Sequence, residues 1–158
     1  MHKRNIFALA ICALFVSVGF AYAATPAPGP RLFVSAPSQP RNGLAVAGAR
    51  QIPFTRFELA AVGGDVTIDS IRIRQTGPTP DDAIDDIVLL DSDGEEIADG
   101  SLGLDHEVTF DEPFTISDGT VAHLTVAADM AEDLDEYEGQ IVTLSVVGIS
   151  ASHFIRVQ

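Results

Sequence analysis

Cysteine is almost missing from this sequence: Cys12 is the only one. It lies in an apolar run, Ile6 to Phe20, preceded by His2-Lys3-Arg4 and followed by Ala21-Tyr22-Ala23. A basic start, an apolar stretch and a small-x-small end read as a secretory signal over residues 1–23, with cleavage after Ala23. Lipid attachment at Cys12 would need cleavage after the bulky Ile11 and an apolar region of only about six residues, so it is not expected. The exported chain is therefore expected to lack disulfides, a thiol nucleophile and thiolate metal sites. Such a domain has to rest on its core, on bound metal or on neighbours.

Lysine is equally scarce, with Lys3 alone and inside the signal. That excludes an intramolecular isopeptide cross-link through lysine after cleavage. Tryptophan is absent, and Tyr137 is the only tyrosine outside the signal. Sugar sites favour flat aromatic platforms with a polar edge, so this scarcity weighs against a glycan site of that type. Positive charge is also short: 9 Lys+Arg stand against 23 Asp+Glu, a net charge of -14. Lys3 and Arg4 leave with the signal, so the remaining cations are all arginine. The balance excludes nucleic-acid binding by phosphate neutralisation and opposes docking on anionic lipid. No apolar run after Phe20 approaches the length of a membrane helix, and insertion after cleavage is not expected.

What remains is apolar enough, at 46%, to argue against wholesale disorder. Residues 24–30 form a proline-rich linker, and residues 31–158 read as one domain of alternating runs broken by turns. Strands are expected at Leu32–Ser35, Gln51–Ala61, Val66–Gln75, Ile84–Leu90, Glu95–Ala98, Val108–Phe110, Phe114–Ile116, Val121–Ala128 and Ile141–Ile149. Pro53 marks an edge or bulge in the second of these. In the third, Val66 and Ile68 alternate on one parity, and Ile71 and Ile73 on the other. That slip at Asp69-Ser70 is what a bulge produces. Ile84–Leu90 is apolar on both faces at its end, which suits a central strand. Asp129 to Gly139 is an acidic connector with room for a helical turn or two. About nine strands at turn-delimited spacing predict an all-β antiparallel sandwich or barrel.

Chemistry is sparse. Asp91-Ser92-Asp93-Gly94-Glu95 places carboxylates around a tight turn, and Ca2+ takes several oxygen ligands. Asp91, Asp93 and Glu95 are the Ca2+ candidates; the same residues also suit a solvated hairpin turn. Asp81, Asp82, Asp85 and Asp86 would add ligands if their loop folds beside that turn. The cluster from Glu132 to Glu138 reads as a solvated face. His106, His123 and His153 have no metal-ligand spacing and read as surface or interface residues. No G-x-S-x-G, no HExxH and no glycine-rich loop opening a helix is present. A catalytic residue is not expected, and no cofactor is required.

Several stretches resemble the Ig-like β-sandwich modules repeated in large bacterial cell-surface proteins of the adhesin and S-layer-like kind. They are Ala47-Gly48-Ala49 leading into Phe54 to Leu59, Asp65 to Ile71, Ile84 to Asp91 before a glycine turn, and Ala122 to Asp129. The resemblance spans roughly Val34 to Ser150 and rests on packing and turn patterns. It implies an antiparallel Ig-like sandwich of about eight or nine strands with a structural or adhesive role outside the cytoplasm. The implied partners are other envelope proteins or copies of itself. This sequence carries one copy, which fits a small exported unit, an assembly subunit or the start of a truncated gene product better than a long stalk. The segments expected to pair with neighbours are the short apolar terminal ones: Leu32, Phe33 and Val34, and Phe154, Ile155 and Val157. The alternative is an extracellular module that binds glycan or Ca2+.

Overall fold

The structure, a computed structural model, describes residues 29–155, with side chains through Ser152. The expected signal, most of the proline-rich linker and Val157 lie outside the described residues.

Two antiparallel sheets pack face to face. The first has five strands: β1 (Arg31–Ser35), β2 (Ile52–Val62), β4 (Ile84–Leu90), β5 (Glu96–Gly100) and β8 (Val121–Met130), in the order β1-β2-β8-β4-β5. The second is built on β3 (Asp65–Thr76). Along one side of β3 runs β9 (Thr143–Ile155), from Thr76↔Thr143 to Asp65↔Ile155. Along its other side run β6 (Glu107–Phe110), opposite Ile71–Arg74, and β7 (Phe114–Ile116), opposite Val66–Ile68. β6 and β7 are one strand interrupted at Asp111-Glu112-Pro113, where proline cannot donate to the ladder.

Alternation decides which side chains meet between the sheets. Phe57, Leu59 and Ala61 from β2 are buried, as are Leu124, Val126 and Ala128 from β8 and Ile87 and Leu89 from β4. From the second sheet come Val66, Ile68, Ile71, Ile73, Val108, Phe110, Ile116 and Leu144. Ile68 and Ile71 both point inward because the β3–β9 register shifts between Ile68 and Ser70, at the expected bulge. A second shift, between Pro53 and Thr55, bends the start of β2 where Pro53 had marked it. The apolar outer positions of β4 are buried too: Val88 and Leu90 cluster with Ala127 on the far side of the sheet.

Some boundaries move. β8 runs on to Met130, and the acidic connector holds only a short 3-10 turn at Asp135–Tyr137. β9 starts at Thr143, leaving Ile141 in the loop, and extends to Ile155.

The registers define two poles. Arg31 pairs with Val62 and Ile155 with Asp65, so the described chain enters and leaves at the pole of the β2–β3 turn. The starts of β2, β4, β6 and β9 gather at the opposite pole, with the ends of β3 and β8.

Candidate functional site

The acidic turn between β4 and β5 is organised by its own carboxylate. Asp91 Oδ1 accepts the backbone N–H of Asp93 at 2.8 Å and of Glu95 at 2.9 Å. The Asp91 N–H donates to the Glu95 carbonyl at 2.9 Å, and Gly94 takes φ 78°. Asp91 thus acts as an Asx-type turn former. Asp93 and Glu95 are exposed beside it. Asp86 lies five residues back along the extended β4, about 16 Å off. The Asp81–Asp86 group therefore does not join this turn. Among the described residues, no group of three or more acidic or histidine side chains is placed to hold a metal ion.

The Asp81–Asp86 group belongs to the pole opposite the chain ends, where four loops are tied together. Asp81 Oδ2 meets His106 Nδ1 at 2.7 Å, and the Gln75 N–H donates to the His106 carbonyl at 2.9 Å. The Ala131 N–H donates to the Ala83 carbonyl at 3.2 Å. Asp129 Oδ1 accepts the Gln51 N–H at 2.7 Å, and its Oδ2 meets Arg50 at 3.2 Å. The Gly48 N–H donates to the Ala131 carbonyl at 2.9 Å. Asp86 accepts the Ser101 hydroxyl at 2.7 Å. Within the 77–83 loop, Gln75 Nε2 donates to the Thr79 carbonyl at 2.8 Å. Two buried oxygens there have no hydrogen-bond partner, the Thr79 hydroxyl and Asp81 Oδ1.

Strand edges are the other candidates. β1 and β9 border the same lateral side of the sandwich: Thr55 on β2 donates its hydroxyl to the Leu144 carbonyl on β9, and β1 lies just outside β2. On β1, Leu32 packs against the core, while Phe33 and Val34 are 53% and 55% exposed. Val34 stands opposite the buried Leu59, on the inward face, and its exposure marks the sandwich as open at this edge. Phe154 and Ile155 pair with Val66 and Asp65, so one backbone side of that segment is occupied by β3.

The other edges are better protected. β5 is no longer than β1 but carries Glu96 and Asp99, and its pairing with β4 has a register shift. The β6–β7 edge is broken by Pro113, and β9 has three register shifts along β3.

On the outer face of the first sheet, Phe33, Ala60 and Val121 stand in one cross-strand row. In the next row Glu58 accepts the Ser35 hydroxyl at 2.9 Å and meets His123 Nδ1 at 3.2 Å. His123 and His106 are exposed, as surface residues are. A groove of about 280 Å³ lies nearby, lined by Ile97, Phe114, Ala122, Leu124, Asp91 and Glu112 among others. It opens because β4 ends opposite Thr125, leaving Val121–Leu124 of β8 paired only with β2. Sequence reading did not find this groove. Its walls come from four separated segments, and the signal was the turn at Asp91 falling short of the start of β8.

Arg72 and Arg74 are exposed at their tips, but both are held by Glu107 on β6. Arg74 Nε donates to Glu107 Oε1 at 2.6 Å, and Arg72 Nε lies 3.3 Å from Oε2. No described helix is long and apolar enough to cross a membrane.

Comparison with protein-family models finds no match, and a search of curated proteins finds none either.

Proposed function

We propose that this protein is an exported, non-catalytic β-sandwich module that assembles with other envelope proteins or with copies of itself through the β1 edge. The resemblance to Ig-like modules of bacterial surface proteins supports a structural or adhesive role. The observation that carries the reading is β1 itself. It is a short edge strand without proline, bulge or inward charge, with Phe33 and Val34 half exposed. An edge of that kind is a template for a further strand, and natural proteins usually blunt such edges.

The placement of the outermost described strand residues refines the role. Arg31 and Ile155 emerge at one pole, so force along the chain would not run through the long axis of the sandwich. That geometry suits a unit projecting from its attachment point better than an in-line spacer.

The test is cell fractionation with immunoblotting, with and without an EDTA wash. The wild-type protein is expected in the envelope fraction, and Val34→Lys is expected in the soluble fraction or the medium. An unchanged distribution for Val34→Lys would overturn the edge reading. Release of the wild-type protein by EDTA alone would favour the second reading, an extracellular ligand-binding module for Ca2+ or glycan. The groove beside Asp91 and Glu112 supports that alternative, being concave, largely apolar and rimmed by carboxylates.

A further inference from the structure

The four most exposed large apolar side chains of the described residues are Leu104 at 105%, Leu44 at 98%, Ile141 at 68% and Val46 at 65%. Val46, Leu104 and Ile141 sit on loops of one pole, opposite Arg31 and Ile155, and Leu44 lies two residues before Val46 on the same loop. Val46 accepts the Ala49 N–H at 3.0 Å, just before Gly48 joins Ala131 beyond the end of β8. Leu104 tips the tight turn Gly103–His106, whose His106 is held by Asp81. Ile141 stands against Gly77, where a Cβ would run into the Ile141 carbonyl oxygen. Isolated exposed apolar residues are ordinary, but the most exposed ones gathered on knitted loops mark an interaction surface.

The same loops carry the exposed carboxylates Asp82, Asp105, Glu132, Asp133 and Glu136, and Asp85 adds another at the start of β4. Arg50 at this pole is engaged by Asp129, and Arg74 by Glu107. The exposed Arg41 on the loop before β2 is outnumbered by these six carboxylates, so the net local charge around the apolar tips is negative.

We propose that this pole docks a cationic, amphipathic polypeptide segment, one with Lys or Arg beside apolar side chains. Complementary charge would steer the segment to the loops, and the apolar tips would supply contact on arrival. A second copy of this chain presents the same acidic pole, so like charges oppose pole-to-pole pairing. Anionic lipid is opposed by the same field. The proposal uses residues distinct from the β1 edge and does not depend on it.

The test is chemical-shift mapping on the isotope-labelled protein, titrated with a short peptide of alternating leucine and lysine. The expected shifts are confined to residues 44–49, 103–106 and 132–141. Affinity is expected to fall roughly tenfold or more in Leu44→Ser/Leu104→Ser/Ile141→Ser, the scale of losing several central contacts. It should fall likewise for a peptide with serine in place of leucine. Val62→Ser, at the other pole, is expected to bind as wild type. These are exposed positions, so folding of the variants is readily checked in the same spectra. Shifts spread over every acidic surface, shifts centred on β1, or unchanged affinity in the triple variant would overturn the proposal. So would the same shift set on adding CaCl2 alone, which would make the loops a metal site.

Discussion

The side-chain amide of Gln39 pairs with the backbone of Arg56 as a neighbouring strand residue would. The Arg56 N–H donates to Gln39 Oε1 at 2.9 Å, and Gln39 Nε2 donates to the Arg56 carbonyl at 2.8 Å. β1 has already ended at Ser35, and Gln39 closes the next position along the β2 edge. Further on, Gly48 and Ala49 cover the end of β8 through Ala131 and Met130. The open part of this lateral edge is thus narrowed to β1, which is why β1 bears the assembly proposal.

Gln39→Ala removes both of these hydrogen bonds. It is expected to cost about 1 kcal/mol, because each exposed pair contributes modestly. Hydrogen exchange at the Arg56 amide should speed up while the β2–β8 amides stay protected. Unchanged exchange at Arg56 would show that the amide does not cap the edge.

Gly77→Ala is expected to destabilise the fold by about 2 kcal/mol, measured by urea unfolding. Gly77 has φ 124°, which L side chains rarely adopt, and an added Cβ would meet the Ile141 carbonyl oxygen. The loss arises at the loop pole, so the transition midpoint should fall without a large change in the denaturant slope. A neutral result would mean that the 131–142 loop yields freely.

Thr79→Val has the opposite expected sign. The Thr79 hydroxyl is buried without a partner, and replacing it with a methyl of similar shape removes a desolvated polar group. Stability is expected to stay level or rise by about 1 kcal/mol. A clear loss would show that the hydroxyl is hydrogen-bonded in solution.

Glu107→Gln is expected to lower stability by about 1 kcal/mol, and the loss should shrink at high salt. Glu107 is largely buried and receives both Arg72 and Arg74, which fastens the short β6 to β3. A salt-independent loss would point to packing instead of charge.

Much of the fold was legible because one residue in two faces the core. The inward set Phe57, Leu59 and Ala61 and the set Leu124, Val126 and Ala128 read directly from alternation, as did the bulge after Ile68. Ile141 was misplaced in a strand because hydropathy alone does not distinguish a strand start from an exposed loop tip. The connector after Asp129 had room for a helical turn or two and holds one short 3-10 turn at Asp135–Tyr137, while Met130 is held in β8 opposite Ile84. Tertiary pairing overrode the local period. The site was less legible. The turn at Asp91 was visible as a motif, but its carboxylate is engaged by the N–H groups of Asp93 and Glu95, a detail spacing does not reveal. The gathering of Val46, Leu104 and Ile141 at one pole depends on strand register across the whole chain.

The most direct test of the assembly reading is sedimentation velocity of the protein without residues 1–23 across a concentration series, at low and at high salt. The chain is strongly acidic, so salt should screen mutual repulsion and promote association. The expected result is reversible self-association of the wild type at high salt, with Val34→Lys remaining monomeric and equally folded. A wild type that stays monomeric throughout, or a Val34→Lys variant that associates as the wild type does, would contradict self-assembly through the β1 edge.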